Sequence, residues 1–213
     1  MCSSSIIESL KNSLAGQLGG AKLAYYYFVF DNVSTHEVDT FLRSIISQLC
    51  PEENVPYELR SLHAKRSPAK PSCGELRSTL LSLLRRIGGK PEPIESLGLR
   101  QDPKEIFLVF DGLDELPHGT VRRSMIDLIL GMASVMTSDH IHVLITSRPE
   151  RDISAQFPSS QGWIRHKMHA DKILIDIESY TARQIAVHPG LNALPPRLKE
   201  NIMATLVHGS YGM

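Results

Sequence analysis

The sequence predicts an α/β fold in which a parallel sheet is flanked by helices. A run of five apolar residues at 106–110 and a largely apolar run at 141–145 each lead directly into polar residues. Such runs are typical of strands that helices bury on both faces, as in parallel sheets. Apolar patterns with helical spacing precede and follow these runs, so helices and strands alternate along the chain.

The composition is that of an ordinary globular protein with no excess charge. The chain has 213 residues, 42% of them hydrophobic, and a formal net charge of zero. A neutral chain gives no indication of nucleic acid or an anionic membrane as a partner, and no apolar run is long enough for a membrane segment. Cys2, Cys50 and Cys73 are widely spaced, which favours a reducing, cytoplasmic location over a disulfide framework.

The first half of the chain predicts helices around an aromatic strand. Residues 3–18 carry apolar side chains at helical spacing, and the pair Gly19-Gly20 would stop that helix. Aromatic and β-branched residues at 21–30 predict a strand. The connection at 50–71 holds four prolines and predicts a surface segment with one short helix at 57–63.

Two serine–glutamate pairs predict helix starts. Ser34 with Glu37 and Ser72 with Glu75 match the capping box, in which the two side chains bond reciprocally to backbone N–H groups. Apolar residues at amphipathic spacing follow each pair, so we expect a helix after each of them.

The second half of the chain predicts a helix, a strand and a helical C-terminal segment. A largely apolar segment at 121–136 predicts the helix. The apolar run at 172–177 predicts the last strand. Beyond it the pattern turns helical, with one short helix at 180–187 and another that starts at Pro195-Pro196.

An acidic cluster follows the strand at 106–110. Asp111 stands where that strand should end, and Asp114 and Glu115 come directly after it. Because ligand crevices of open α/β sheets lie at the carboxyl ends of the strands, these carboxylates would lie at the mouth of an active site. A Walker B element has this form: its first Asp holds Mg2+, usually through water, and a following acid positions the attacking water. The alternative is a buried strand that runs into an ordinary acidic turn.

The segment from Asp111 to Leu116, Asp-Gly-Leu-Asp-Glu-Leu after five apolar residues, resembles the Walker B of the NACHT family. These proteins are signal-transducing P-loop NTPases that include NOD-like receptors and fungal relatives. The resemblance implies Mg2+ with ATP or GTP in the complete family site, and it implies that Asp111 coordinates the metal ion through water. It also makes Asp114 and Glu115 candidates to orient the hydrolytic water, without choosing between them.

A second motif, Thr146-Ser147-Arg148-Pro149, follows the strand at 141–145. By the same resemblance, Arg148 is the sensor 1 arginine, which would reach the γ-phosphate of the bound nucleotide. The planar guanidinium with its fork of donors suits phosphate oxygens. The alternative is an arginine that pairs with a surface acid such as Glu150.

The resemblance also implies a domain organisation and a function. It implies an incomplete NACHT nucleotide-binding core at 1–177 and the start of a helical domain at 178–213. The expected function is a nucleotide-dependent switch of the innate-immunity or non-self-recognition type. Its expected partners are other copies of the receptor or effector proteins. A rival interpretation is a non-enzymatic remnant that acts in protein interaction or oligomerisation.

The phosphate-binding motif of a P-loop NTPase is not found in these 213 residues. The nearest pattern, Gly89-Lys90, is followed by Pro91, and Leu84 stands where the motif needs its first glycine. The resemblance therefore implies a P-loop NTPase-type sheet that lacks its first strand and P-loop and begins just after Walker A. The lost strand is expected between the strands at 172–177 and 141–146, and its loss would expose two apolar edges.

Nine histidines prompt a search for metal ligands. The patterns His140-x-His142 and His166-x-x-His169 have no cysteine or carboxylate at ligand spacing, so we expect no metal site on them. These histidines are expected to be solvated or packed in the core.

We expect the 213-residue chain to bind Mg-ATP weakly or not at all. Mg2+ in such sites is held by one or two carboxylates together with the phosphates. The phosphates in turn need the glycine-rich loop and the Lys of the P-loop motif, and that motif is not found in this sequence. Isothermal titration calorimetry with Mg-ATP measures the affinity directly, and a tight complex would contradict the prediction.

Overall fold

The computed structural model describes residues 2–16, 21–50, 55–66, 70–88, 104–134, 140–167 and 170–209. The chain divides into two compact units, residues 1–157 and 158–213. The first unit contains the sheet and both predicted motifs, and the described part of the second unit is helical.

Among the described residues of the first unit, three parallel strands form one sheet in the order β1-β2-β3. They are β1 (Lys22–Tyr27), β2 (Ile106–Asp111) and β3 (Ile141–Ile145). Asp111 pairs with Tyr27 on one side, and Phe110 pairs with Ile145 on the other. The carboxyl ends of the strands therefore lie at one edge of the sheet. This arrangement confirms the expected α/β class and is consistent with a P-loop NTPase-type sheet.

Helices precede, separate and follow the strands. In the first unit they are α1 (Cys2–Gly16), α2 (Val38–Leu49), α3 (Tyr57–Arg66), α4 (Cys73–Gly88), α5 (Thr120–Ser134) and α6 (Arg151–Gln156), with short 3-10 turns at Val33–His36 and Leu113–Glu115. The second unit has a 3-10 turn at Ser159–Gln161 and the helices α7 (Ala170–Val187), α8 (Pro189–Asn192) and α9 (Pro196–Gly209).

One face of the sheet forms the main hydrophobic core. Alternate residues of β1 and β2 are buried there, as the two-residue period of a strand requires, and they include Tyr26, Leu108 and Phe110. Phe41 of α2 is fully buried against them, with its ring centroid 5.1 Å from that of Tyr26 and 5.3 Å from that of Phe110. The aromatic residues of β1 that face this side are thus explained by packing.

The opposite face of the sheet is less evenly covered. The helix α1 packs against β1 and β2, and Ile7 of α1 and Val109 of β2 are buried. On β3, His142 is exposed and Leu144 is 37% exposed. Among the described strands, β3 pairs with β2 alone, so no described strand lies along its outer edge.

The predicted strand at 172–177 is wrong, because these residues lie inside α7. Leu174 and Ile177 are half-buried and Thr181 is buried, whereas Ile175 is 66% exposed. Burial at positions three and four residues apart follows the helical period, while a strand would place 175 and 177 on one face. The predicted domain boundary after residue 177 also falls inside this helix. The segment therefore supplies no strand to border the expected gap in the sheet.

The capping box predicted for Ser72 and Glu75 is confirmed. The Ser72 N–H donates to Glu75 Oε2 at 2.9 Å, and the Glu75 N–H donates to Ser72 Oγ at 3.3 Å. These reciprocal bonds satisfy backbone donors at the start of α4 that have no partner within the helix.

The capping box predicted for Ser34 and Glu37 is wrong. Val33–His36 form a 3-10 turn, and α2 begins after it with Glu37 at the N-cap and no capping bond from the Glu37 side chain. Ser34 Oγ donates instead to Asn32 Oδ1 at 2.6 Å, and Thr35 Oγ1 donates to the Asn32 carbonyl oxygen at 2.7 Å. The polar side chains thus stabilise the turn rather than the helix.

The other predicted helices agree with the structure more closely. The helices α1, α3, α5 and α9 were predicted, whereas α6 and α8 were not, and the segment 180–187 is the second half of α7. The expected stop at Gly19-Gly20 and the pattern Gly89-Lys90 lie outside the described residues. No helix in the described part of the chain combines the length and the apolar character that a bilayer crossing requires.

Replacement of Ser72 by Ala should lower the free energy of unfolding by about 1 kcal/mol, because α4 loses its capping bond. The same replacement at Ser34 should change it by less than about 0.5 kcal/mol, since Ser34 caps no helix. Urea unfolding followed by circular dichroism compares the two variants with the unchanged chain. An equal loss of unfolding free energy in both variants would contradict the conclusion that Ser72 caps a helix and Ser34 does not.

Candidate functional site

A glycine turn leads the chain out of β2. Asp111 is the last residue of the strand, and Gly112 follows it with a φ of 73°, which L side chains rarely adopt. A Cβ atom on Gly112 would lie 3.1 Å from the carbonyl oxygen of Phe28, just after β1. Glycine is therefore required here both for the direction of the turn and for the close approach of the two segments.

Two leucines anchor the acidic turn that follows. Leu113–Glu115 form a 3-10 turn, and Leu113 and Leu116 are fully buried in the core. The burial of these two side chains holds the turn at both of its ends. The acidic residues Asp114 and Glu115 are consequently kept at the sheet edge where β2 ends.

Thr146 joins the acidic turn to the end of β3. The Thr146 hydroxyl donates to the Asp111 carboxylate and accepts a hydrogen bond from the Gly112 N–H at 3.1 Å. The Thr146 N–H donates to the Phe110 carbonyl oxygen at 2.9 Å, and the Thr146 carbonyl oxygen accepts the Leu113 N–H at 3.1 Å. These bonds fix the Asp111 carboxylate beside the neighbouring strand. The sequence motifs indicate Asp111 as a site residue but give Thr146 no role of its own.

Asp114 and Arg148 are brought together. The Arg148 N–H donates to Asp114 Oδ1 at 2.9 Å, and Arg148 Nε lies 3.4 Å from Asp114 Oδ2. The Asp114 side chain is 11% exposed, whereas the Arg148 side chain is 80% exposed. The backbone of Arg148 is therefore fixed while its guanidinium faces solvent. Glu150, the alternative partner for Arg148, forms an ion pair with Arg122.

Glu115 is bonded to the loop after β1. Its Oε2 accepts the Phe30 N–H at 2.7 Å. The Glu115 N–H donates to the Gly112 carbonyl oxygen at 2.8 Å, which closes the turn. The three acids of the motif thus have three different partners, which are Thr146 for Asp111, Arg148 for Asp114 and the Phe30 backbone for Glu115.

A buried arginine that the sequence analysis missed also bonds to this turn. The Arg122 side chain on α5 is 3% exposed. Its Nη2 donates to the Asp114 carbonyl oxygen at 2.7 Å, and its Nε donates to the Leu116 carbonyl oxygen at 3.0 Å. Arg122 precedes the buried residues Met125 and Ile126 by three and four positions on the same helix. A charged residue in line with an apolar stripe is the sequence signal that could have identified it.

The same arginine organises a group of potential metal ligands. Among the described residues, His118, Glu150 and Asp152 bring ligand atoms within 4.8 Å of one another. Arg122 Nη1 donates to both carboxylates and lies 3.1 Å from Asp152 Oδ2 and from His118 Nδ1. The guanidinium therefore takes the position that a cation would need. Partial burial raises the pKa of Asp152, but the hydrogen bond and the charge of Arg122 outweigh it and hold that pKa below its usual value.

His140 and His142 share a carboxylate partner that is distant in the sequence. Glu105 Oε1 lies 2.7 Å from His140 Nδ1, and Glu105 Oε2 lies 2.7 Å from His142 Nε2. The parallel register of β2 and β3 brings these residues together, and sequence spacing alone does not reveal it. The hydrogen bonds from His140 and His142 lower the pKa of Glu105. The group lies at the amino ends of the strands, opposite to Asp111, and His169 lies outside the described residues.

Glu105 should stabilise the chain at neutral pH and lose this contribution in acid. A carboxylate whose pKa falls on folding contributes stability that is present above its unfolded pKa, about 4.3, and is lost as the pH falls through the lower folded value. Glu105→Gln should therefore flatten the loss of stability below about pH 4.3, measured as urea midpoints. Replacement of both His140 and His142 by Ala should flatten it in the same direction. A slope like that of the unchanged chain would contradict the assignment.

Comparison with known proteins assigns this part of the chain to a family. The family model described as nephrocystin 3, N-terminal, matches residues 1–148. The match contains all three described strands and ends at Arg148. No curated protein matches the chain. The matched family is not the NACHT domain itself, although nephrocystin 3 represents a family of NACHT-containing proteins. Because the match covers more than half of its residues, the chain belongs to the nephrocystin 3 N-terminal family.

Proposed function

We propose that this chain supplies the acidic edge of a magnesium–nucleotide site in a NACHT-type signalling switch. The observation that supports the proposal most strongly is the hydrogen bond from Thr146 to Asp111, which joins the ends of neighbouring parallel strands. Ligands of open α/β sheets bind at this edge. The relation of the nephrocystin 3 family to NACHT-containing proteins favours the same function.

The side chains at this edge fit Mg2+ by their chemistry. Asp111 offers a carboxylate and Thr146 a hydroxyl, and hard oxygen ligands of this kind are the ones that Mg2+ prefers. Asp111 would hold the ion through water, while Thr146 orients the carboxylate. When bound, Mg2+ would neutralise negative charge on the phosphates of ATP or GTP.

Glu115 is the better candidate for the acid that orients the attacking water. Both carboxylate oxygens of Asp114 face Arg148, one toward its N–H and the other toward its Nε. Glu115 uses Oε2 to accept the Phe30 N–H, and its second oxygen can accept a hydrogen bond from water. Asp114 then serves to hold Arg148 rather than to act on water.

Arg148 is the candidate for contact with the terminal phosphate. Its side chain is 80% exposed, and its N–H is held by the Asp114 carboxylate, so the guanidinium extends from a fixed backbone. A phosphate oxygen would compete with Asp114 for the guanidinium, because both are anionic acceptors of the same donors. Exchange between these two acceptors would couple nucleotide binding to the segment after β3, which is the property that a switch needs.

A protein-interaction module without chemistry is the second candidate. No described strand lies along the outer edge of β3, and Leu144 of that strand is 37% exposed. Edges of this kind pair with strands of other chains, including further copies of the same chain. In either case the partners are other copies of the protein or effector proteins. The two candidates differ in whether Asp111 binds a metal ion.

Titration of the 15N-labelled chain with MnCl2 tests the proposal, since Mn2+ substitutes for Mg2+ and broadens the NMR signals of nearby amides. The amide signals of Gly112 and Thr146 should broaden before those at the amino ends of the strands. Asp111→Asn should remove this selective broadening, because it removes the proposed metal-holding charge. The matched control Asp127→Asn, at an exposed carboxylate on α5, should leave the broadening unchanged.

Two outcomes would contradict the magnesium site. One is broadening that is spread evenly over the exposed acids, and the other is selective broadening that persists in Asp111→Asn. Either result would leave the interaction module as the remaining candidate. The titration needs no nucleotide, so it does not depend on how tightly the chain binds ATP or GTP.

A further inference from the structure

Arg122 links the two segments that carry the proposed site. Its Nη2 and Nε donate to the carbonyl oxygens of Asp114 and Leu116, in the turn after β2. Its Nη1 donates to the carboxylates of Glu150 and Asp152, at the start of α6. These acceptors are 34 or more positions apart in the chain and come from two separate loops.

We propose that Arg122 is a positioning residue that holds the Asp114 turn in register with Arg148. This inference rests on the proposed function, which gives Asp114 and Arg148 their roles. Asp114 bonds to Arg122 through its carbonyl oxygen and to Arg148 through its carboxylate. Arg148 lies two residues before Glu150, and Glu150 forms an ion pair with Arg122. The contacts form a closed ring, in which Arg122 supplements the bond between Asp114 and Arg148.

Burial makes this ring costly to open. The Arg122 side chain is 3% exposed, and a buried cation is tolerated when charge and hydrogen bonds compensate its loss of water. Glu150 and Asp152 supply the charge, and the two carbonyl oxygens supply further acceptors. If the turn moved away from α6, the guanidinium would lose its acceptors on one side. The arginine therefore favours the arrangement in which both loops stay together.

Arginine is required at this position rather than a cation in general. The planar guanidinium presents Nε and Nη2 to the carbonyl oxygens and Nη1 to the carboxylates at the same time. A lysine has one nitrogen on a flexible stem and cannot serve two opposite sets of acceptors at fixed geometry. A metal ion bound by His118, Glu150 and Asp152 would compete with Nη1 for the same ligand atoms.

The test compares Arg122→Lys with Arg123→Met, which removes the exposed neighbouring arginine on α5. In the metal-free, nucleotide-free chain, Arg122→Lys should shift the amide signals of Arg148 and Glu115. It should also speed hydrogen exchange of the Arg148 N–H about tenfold relative to the β1 amides of Ala24 and Tyr26. Arg123→Met should leave both readouts as in the unchanged chain.

A second variant keeps the test decisive if Arg122→Lys does not fold. Asp152→Asn removes the negative charge of one Arg122 partner, on a side chain that is 47% exposed, so the core stays filled. It should change the Arg148 amide in the same direction, with Asp127→Asn as its control. A merely structural role of Arg122 would speed exchange of the β1 and Arg148 amides equally, and that result would overturn the proposal.

These readouts separate the inference from the proposed function. The Arg148 amide reports the position of the loop without any bound ion, whereas Mn2+ broadening at Gly112 reports the metal site. If Mn2+ does not bind while Arg122→Lys changes the Arg148 amide, the magnesium proposal fails and the link between the loops stands. If Mn2+ binds and the Arg148 amide is unchanged, the proposed role of Arg122 fails alone.

Discussion

The parallel pairing of β2 with β3 is the constraint on which the rest of this structure depends. In this register Phe110 pairs with Ile145. The residues that follow them, Asp111 and Thr146, therefore lie side by side at the same edge of the sheet. An antiparallel pairing would place the residues that follow the two strands at opposite edges of the sheet. The acidic turn and the segment that holds Arg148 can bond to each other because both begin at the edge where β2 and β3 end.

The two arginines at this edge of the sheet pair with different acids. Arg122 is buried and binds Glu150, so the carboxylate nearest to Arg148 in the sequence is already paired. Arg148 contacts Asp114 instead, across the gap between two loops. A buried arginine with several partners and an exposed one thus lie close together at this edge. The exposed guanidinium is the one that we propose contacts a phosphate.

Much of the sheet and its acidic turn could be predicted from the sequence, because both depend on local pattern. The apolar run before Asp111 is typical of a buried strand, and the leucines at 113 and 116 fall where the turn must be anchored. The segment 172–177 was mistaken for a strand because a short apolar run has no clear period, and packing within the second unit decides its form. Ser34 matched a capping pattern, but the Asn32 side chain competes for its hydroxyl.

The contacts that the sequence does not reveal join residues far apart in the chain. Glu105 meets His140 and His142 only through strand register, and no spacing rule links them. Arg122 finds acceptors both after β2 and after β3, so neither helical pattern nor local motif specifies its role. Tertiary hydrogen bonds of this kind depend on the fold as a whole, which a single sequence describes poorly.

The close approach of Gly112 to Phe28 has a consequence for the architecture of the edge. The carbonyl oxygen of Phe28 lies 3.1 Å from the point where a Cβ would stand, and Phe30, two residues later, bonds to Glu115. The absence of a side chain at Gly112 therefore leaves room for the backbone after β1 to approach the acidic turn. An added Cβ would require the Phe28 carbonyl group to shift, close to the backbone donor that Glu115 binds. A hydrogen at this one position thus helps to keep the loop after β1 bonded to the turn after β2.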